Sequence, residues 1–443
     1  MSLTTENPPP RLAWYGDDFT GATDTLATAA QAGLRSLLFL GVPAERHLNQ
    51  AGPLDAIGIA GAARAMDPQA MAEELEPVGR FFASLRSPVV HYKCCSTFDS
   101  APHVGNIGVA IRTLNRHINS AWVPVVGGQP NIGRYCCFSQ LFAAAGTQGE
   151  VHRIDRHPTM CQHPVTPMTE ADLRRHLQAQ GLHRVAALHY PGYALSADAQ
   201  DAALQRLLAQ QPDAVLMDVS GPQDLPAVGR LIWRDARQAT VLAVGSSGVV
   251  QALAAHWGNT EVASTLDMPR PADGPVFAFA GSLSPQTETQ VAAASSYRKT
   301  PLDVRRLLCE PRHAADCAEA VLAGLDGGHH VLLHTQASAR HADLDSLAVA
   351  SATGDLVARI VGMRASQGRP LRRIGIAGGD TSSLAVQKLG IWGLSCQGVL
   401  APGVTLSRAH SDHASLNGLE LMLKGGQMGP PEVFERLVWG LRD

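Results

Sequence analysis

Short apolar runs recur along the first 258 residues, each followed by a longer segment whose apolar positions fall three and four apart. The runs "LRSLLFL", "LDAIGIA", "VVHYKCC", "AWVPVV", "VAALHY", "AVLMDVS" and "TVLAVG" have the length and branched composition of buried strands. Between several of them, "DPQAMAEELEPVGRFFASL" and "TEADLRRHLQAQG" open on capping residues and carry helical spacing. Strand and helix in alternation predict a largely parallel sheet covered by helices. Over 259–275, "NTEVASTLDMPRPADGP" loses periodicity and gathers Pro, Gly and polar residues, which reads as a linker. Alternation then resumes with "VFAFAG", "HVLLHT", "RRIGIAGG" and "CQGVLAPG", separated by helical segments that include a long one over 340–367. The pattern predicts two α/β domains, 1–258 and 276–443, with mainly parallel sheets and an interdomain cleft suited to small molecules.

One junction in this pattern carries chemistry. Residues 11–15 read as a buried strand, and Ala22, Leu26, Ala29 and Ala30 follow at helical spacing, with Gly33 as the stop. Asp17 and Asp18 therefore occupy a strand-to-helix turn. In open α/β sheets that end of the strands is where ligands bind. The alternative is that Asp17 or Asp18 caps the helix, a task Thr20 is also able to do.

Length and composition bound the rest. A chain of 443 residues exceeds one ordinary core, and 45% hydrophobic with 17% charged residues describes a folded protein rich in structured loops. A net charge of -3 leaves no basic footprint for nucleic acid. The opening "MSLTTENPPP" has no secretory pattern and no apolar run is long enough for a bilayer, so a cytoplasmic enzyme of small molecules is the expectation. Of eight Cys, the pairs Cys94/Cys95 and Cys136/Cys137 lack metal or redox spacing and read as buried thiols. A metal site from Cys161 and its neighbouring histidines is the alternative, supported by no spacing rule, and no metal ligand is assigned to any side chain.

Three Gly-containing turns mark the C-terminal half. "FAGSLSPQT" offers Gly281, Ser282 and Ser284; "GIAGGDTSS" offers Gly378, Gly379, Asp380 and Thr381; "LKGGQMG" offers Lys424, Gly425, Gly426 and Gly429. Glycine permits close backbone approach, helix starts favour anions, and lysine adds a full charge, so the three together suit a polyphosphate. None fits a Walker A or a GxGxxG pattern. The N-terminal half places cations and hydroxyls at strand ends: Arg64, Lys93, Ser96, Thr97, Asp99 and Gln129, with Arg153, Asp155, Arg156, His157 and His163 crowded into one loop. Such groups can grip a hydroxylated carboxylate. The bland reading is a solvated loop in which Asp155 only pairs with Arg153 or Arg156.

Taken in order, "YGDDFTGATD", "YKCCSTFDSAPHVGNIG", "HPVTPMTEADL", "FAGSLSPQT", "GGDTSS", "PGV" and "KGGQMG" resemble the four-carbon acid sugar kinase family across nearly the whole chain. The resemblance implies an N-terminal sugar-acid domain and a C-terminal ATP-binding domain. It also implies phosphoryl transfer to threonate, erythronate, a 3-oxo-tetronate or 3-oxo-isoapionate, the last being nearest in motif wording. It places the acidic motif on Asp17 and Asp18 and the nucleotide motifs on Ser282, Gly378 to Thr381 and Lys424 to Gly429. Where relatives often read "GNFG", this chain has Gly426, Gln427, Met428 and Gly429. With ATP and Mg²⁺ as the implied cofactors, Asp380, Asp17 and Asp18 are the candidate bases, and Arg64 and Lys93 the carboxylate binders. The rivals are a non-catalytic sugar-acid sensor and a metal-dependent hydrolase or aldolase built on residues 157–163. A homodimer is the default oligomer.

Overall fold

The computed structural model describes residues 8–146, 149–163, 165–258, 266, 268–336 and 344–441. The chain divides into two compact units, Met1–Thr265 and Leu266–Asp443. Residues 259–265 and 267 of the expected linker, and 340–343 of the expected long helix, lie outside the described residues.

In the N-terminal unit the strands are β1 (Leu12–Gly16), β2 (Ser36–Phe39), β3 (Ala56–Ala60), β4 (Val89–Lys93), β5 (Pro124–Val126), β6 (Arg134–Cys137), β7 (Gln140–Ala144), β8 (Val151–Arg153), β9 (Val185–Leu188), β10 (Ala214–Met217) and β11 (Val241–Gly245). Eight of them form a parallel array in the order β2, β3, β1, β4, β11, β5, β10, β9. Every residue of β1, β3, β4 and β11 is buried, as continuous apolar strands covered by helices on both faces must be. The chain leaves β1 towards β2 and leaves β4 in the opposite direction towards β5, so the connections part between two adjacent strands. The carboxyl ends of β1 and β4 are therefore the switch point at which α/β sheets bind ligands.

β6, β7 and β8 form a separate antiparallel sheet where the sequence reading expects only polar loops. These strands are three to five residues long with mixed burial, too short for alternation to register. Their tight turn, Phe138 and Ser139, is left-handed at both positions (φ 48° and 68°). Buried Asp218, just past β10, accepts hydrogen bonds from both backbone N–H groups at 2.8 and 3.0 Å and holds the turn in place.

The C-terminal unit contains β12 (Phe277–Ala280), β13 (Tyr297–Leu302), β14 (His330–Thr335), β15 (Arg373–Ala377), β16 (Ile391–Ala401), β17 (Val404–Ser411) and β18 (Glu420–Lys424), ordered β13, β14, β12, β15, β18, β17, β16. The first five run parallel, whereas β18, β17 and β16 are joined antiparallel. The expected long helix is Ser346–Ser366. Again the connections diverge, β12 leading one way to β13 and β15 the other way to β16, so the switch point lies between β12 and β15. No helix among the described residues is long and apolar enough to cross a membrane.

Candidate active site

Register brings the N-terminal candidates to one level. Gly16 at the end of β1 lies opposite Ala60 and Lys93, and Gly245 lies opposite Lys93 and Val126. The loops after β1, β3, β4, β5 and β11 thus open together, carrying Asp17 and Asp18, Arg64, Thr97 and Asp99, Gln129, and Ser247 respectively.

The centre of this group is an ion network. Arg64 Nη2 donates to Asp17 Oδ1 and to Asp18 Oδ1, both at 2.8 Å, and Arg64 Nε donates to Asp17 Oδ2 at 3.3 Å. Lys93 Nζ lies 3.4 Å from Asp18 Oδ1, and Arg64 Nη1 lies 4.0 Å from Asp99 Oδ2. Gly21 admits this packing, since a Cβ there would fall 1.6 Å from Lys93 Nζ. Capping and site-building turn out to be one job: Asp18, not Thr20, caps the helix Phe19–Gln31 through the Gly21 N–H at 3.0 Å.

Burial pushes the Asp17 carboxyl above its ordinary value in spite of Arg64 and Lys93. Burial also works against charge at Asp18, but Arg64, Lys93 and the Gly21 N–H outweigh it and hold that carboxyl low. Arg64 and Lys93 are opposed by burial too, yet the carboxylates keep both raised and cationic. Cys95 sits beside this network, and burial pushes its thiol up to about 11, so it stays protonated and unreactive.

Two flanking groups brace the loops. Thr97 Oγ1 donates to Asp99 Oδ1 at 2.9 Å. Asp24, one turn into the first helix, accepts from Gln129 Nε2 at 3.0 Å and from Ser247 Oγ at 2.5 Å. The sequence pattern marks neither Asp24 nor Ser247, although Asp24 stands in "YGDDFTGATD" and Ser247 stands just after "TVLAVG" in a Gly-Ser-Ser-Gly turn. Their helical and loop positions meet only because β11 inserts between β4 and β5.

Ser96 lies half-buried in the turn after β4. Arg153 and Asp155 form an exposed bidentate pair at 2.7 Å, and no described contact joins them to Arg64 or Lys93. His157 and His163 each accept a backbone N–H on Nδ1, so both act in holding their own loop. Among the described residues no three His, Cys, Asp or Glu groups converge to hold a metal.

The three C-terminal turns also converge. Ala280, Ala377 and Lys424 are register neighbours at the ends of β12, β15 and β18. Gly281 and Ser282 donate their backbone N–H groups to Ala377 O, and Gly378 N–H donates to Lys424 O at 2.9 Å. Ser284 caps the helix Pro285–Ala293 and donates from Oγ to Gly426 O at 2.6 Å, joined there by Thr287 Oγ1 at 3.0 Å. A Cβ on Gly426 would lie 2.2 Å from Ser282 Oγ, so only glycine lets the first and third turns touch. Gly378 (φ 137°) and Gly429 (φ 85°) take conformations that side chains resist, while Met428 N–H closes the last turn on Gly425 O at 3.2 Å. Thr381 is buried in the first turn of the helix Gly379–Lys388. Asp380 shares that turn by its backbone, and its side chain lies outside the described residues.

Lys424 is the chemically telling group. Its side chain is fully buried, and its ammonium nitrogen has no hydrogen-bond partner among the described residues. Burial lowers its pKa to about 7. Two helix starts and one unpaired amine suit phosphate oxygens, whereas these turns bring no described carboxylate to a bare cation.

Comparison with known proteins gives the same division. Residues 12–253 match a model described as a sugar-binding N-terminal domain, and residues 277–434 match a nucleotide-binding C-terminal domain. A 3-oxo-isoapionate kinase of Paraburkholderia graminis is 38% identical over 96% of this chain and 93% of its own. A 3-oxo-tetronate kinase of Cupriavidus necator is 31% identical over 96% of each chain. A crystal structure from Salmonella typhimurium LT2 superimposes with a TM-score of 0.79 over 97% of this chain and 98% of that one, at 24% identity, a likeness of fold.

Proposed function

Because this chain belongs to the four-carbon acid sugar kinase family and is a sugar-acid kinase, we propose that it transfers the γ-phosphoryl group of ATP to a hydroxyl of an acid of the 3-oxo-isoapionate type. The observation that carries the nucleotide half is the buried, unpartnered amine of Lys424, a residue whose backbone ends β18 beside the three Gly turns. A phosphate there gives the amine the partner it lacks, and the turns of Gly281–Ser284, Gly378–Thr381 and Lys424–Gly429 surround the remaining oxygens. Mg²⁺, held on the nucleotide's phosphates, supplies charge neutralisation when bound.

The acid's half is supported by the Arg64–Lys93–Asp17–Asp18 network, whose cations face its carboxylate and which sets an anion beside its hydroxyls. Thr97, Ser96 and Gln129 supply further polar contacts around it. Asp380, in the first turn of an anion-binding helix, takes the proton of the attacking hydroxyl. The reaction belongs in the cytoplasm, where acid and ATP are both present, and a homodimer is the oligomer to test by sedimentation.

Mg·ATP-dependent ADP release across 3-oxo-isoapionate, 3-oxo-tetronates, threonate and erythronate, with product mass checked, tests this reading. One acid is expected to give ADP and a phosphorylated product. ATP binding with no ADP release from any acid overturns the kinase in favour of a sensor. Asp380→Asn should lower kcat by about 100-fold or more while leaving ATP affinity within about twofold. Near-normal turnover in that variant would move the base to the Asp17/Asp18 pair.

A further inference from the structure

We propose that the adjacent carboxylates divide the work: Asp18 receives a hydroxyl of the sugar acid on its Oδ2, and Asp17 is a positioning residue that acts only through Arg64. The assignment rests on the sugar-acid kinase reading above and separates two residues that neighbour each other in sequence and share a cation.

Asp17 is enclosed. One guanidinium takes both of its oxygens, Oδ1 from Nη2 and Oδ2 from Nε. Its backbone is fixed as well, with its N–H donated to Lys93 O at 3.0 Å and its C=O accepting the Arg64 N–H at 3.0 Å. The side chain is 5% exposed. A fork closed on both oxygens from one side sets the plane of the guanidinium, and burial keeps the carboxylate's remaining lone pairs out of a substrate's reach.

Asp18 is arranged differently. All three of its donors, Arg64 Nη2, Gly21 N–H and Lys93 Nζ, converge on Oδ1. Oδ2 accepts no hydrogen bond among the described residues, and the side chain is 27% exposed. An ionised carboxylate only accepts, so its open oxygen selects a donor. A hydroxyl satisfies it, whereas a keto oxygen or a second carboxylate meets repulsion. Asp18 thereby reads whether the carbon it faces bears a hydroxyl or a carbonyl, which is the difference between a sugar acid and its oxo form at that position. A site built to bond a hydroxyl discriminates strongly against compounds that lack it.

A double-mutant cycle separates the roles. Asn at either position keeps the shape, and at 18 it also keeps the helix cap. Each of Asp17→Asn and Asp18→Asn is made alone and in an Arg64→Lys background, which keeps the charge but removes the fork. The readouts are kcat and KM for 3-oxo-isoapionate and erythronate, with thermal unfolding and ATP affinity checking that the fold persists. Asp18→Asn is expected to lower kcat/KM by about 100-fold when Arg64 is present and still by at least about tenfold when Arg64 is Lys, because only its Oδ1 contact passes through Arg64. Asp17→Asn is expected to raise KM about tenfold with kcat nearly intact, and to add less than about twofold once Arg64 is Lys, because its effect passes through the fork.

An Asp17→Asn cost that is the same in both backgrounds, or an Asp18→Asn variant within about threefold of wild type, overturns the division. Wild-type protein that releases no ADP with any acid overturns the kinase reading instead. In that case calorimetric binding of the same acids, run through the same cycle, tests the division by itself. No binding by wild type overturns both.

Discussion

Replacing Lys424 by Met is expected to stabilise the C-terminal unit and abolish nucleotide binding at once. The amine is fully buried without a partner, so a charge placed on it forfeits hydration and gains nothing in return. Burial lowers its pKa from 10.5 to about 7. At about 1.4 kcal/mol per pKa unit, keeping the proton in the folded state costs about 5 kcal/mol. The folded pKa lies below the unfolded one, so above pH 7 the unfolded chain holds a proton that the folded chain has released. Wild-type stability therefore rises with pH from about 7 to 10.5, and the penalty is present in full below about 7. Met fills the same space without charge. Its advantage should reach several kcal/mol at pH 6 and shrink by about 1.4 kcal/mol for each pH unit above 7. Scanning calorimetry and urea unfolding of both proteins at pH 6, 7.5 and 9, without ligand, measure this directly, with ATP titrations alongside. A gain that stays constant from pH 6 to 9, or a Met variant less stable than wild type at pH 6, would refute the buried-charge argument.

Other substitutions test the architecture. Gly426→Ala forces a Cβ to within 2.2 Å of Ser282 Oγ, so ATP affinity should fall by about tenfold or more while acid binding, read by calorimetry, is unchanged. Gly21→Ala should do the opposite, displacing Lys93 and raising the acid KM with ATP affinity intact. Asp218→Ala removes the carboxylate oxygens that accept the Phe138 and Ser139 backbone N–H groups and should cost about 3 kcal/mol, seen as a lower urea midpoint and faster hydrogen exchange over 134–144. If the exchange in that segment does not change, the turn is held by something other than Asp218.

Much of this was legible in the residue pattern. The continuous apolar runs of β1, β3, β4 and β11 announce parallel strands because burial on both faces leaves no alternation to misread. The strand-to-helix turns at Asp17–Asp18, Gly281–Ser284 and Gly378–Asp380 follow from that, since periodicity changes there from strand to helix. What escaped was set by distance along the chain. β6 to β8 are pinned by Asp218, some eighty residues away, and their own composition says only loop. Asp24 and Ser247 are 223 residues apart, and nothing local to either indicates the other. The run "CQGVLAPG" marks part of β16, but the antiparallel pairing of β16 to β18 is not legible in it, because an apolar run does not state which neighbour it pairs with or in which direction.

The place of β11 also has a bearing on synthesis. It is the last strand of the N-terminal unit to leave the ribosome, yet it pairs with β4 on one side and β5 on the other. Until residues 241–245 emerge, β4 and β5 have no common neighbour, and the loop bearing Gln129 has no Ser247 with which to share Asp24. A nascent chain whose residues 241–245 have not yet emerged thus exposes two apolar strand edges in the middle of its sheet, the kind of surface that chaperones recognise. Closure of so non-local a pairing is intrinsically slow. Ribosome-bound chains on which β11 is still enclosed and those on which it has emerged should therefore differ sharply in protease resistance.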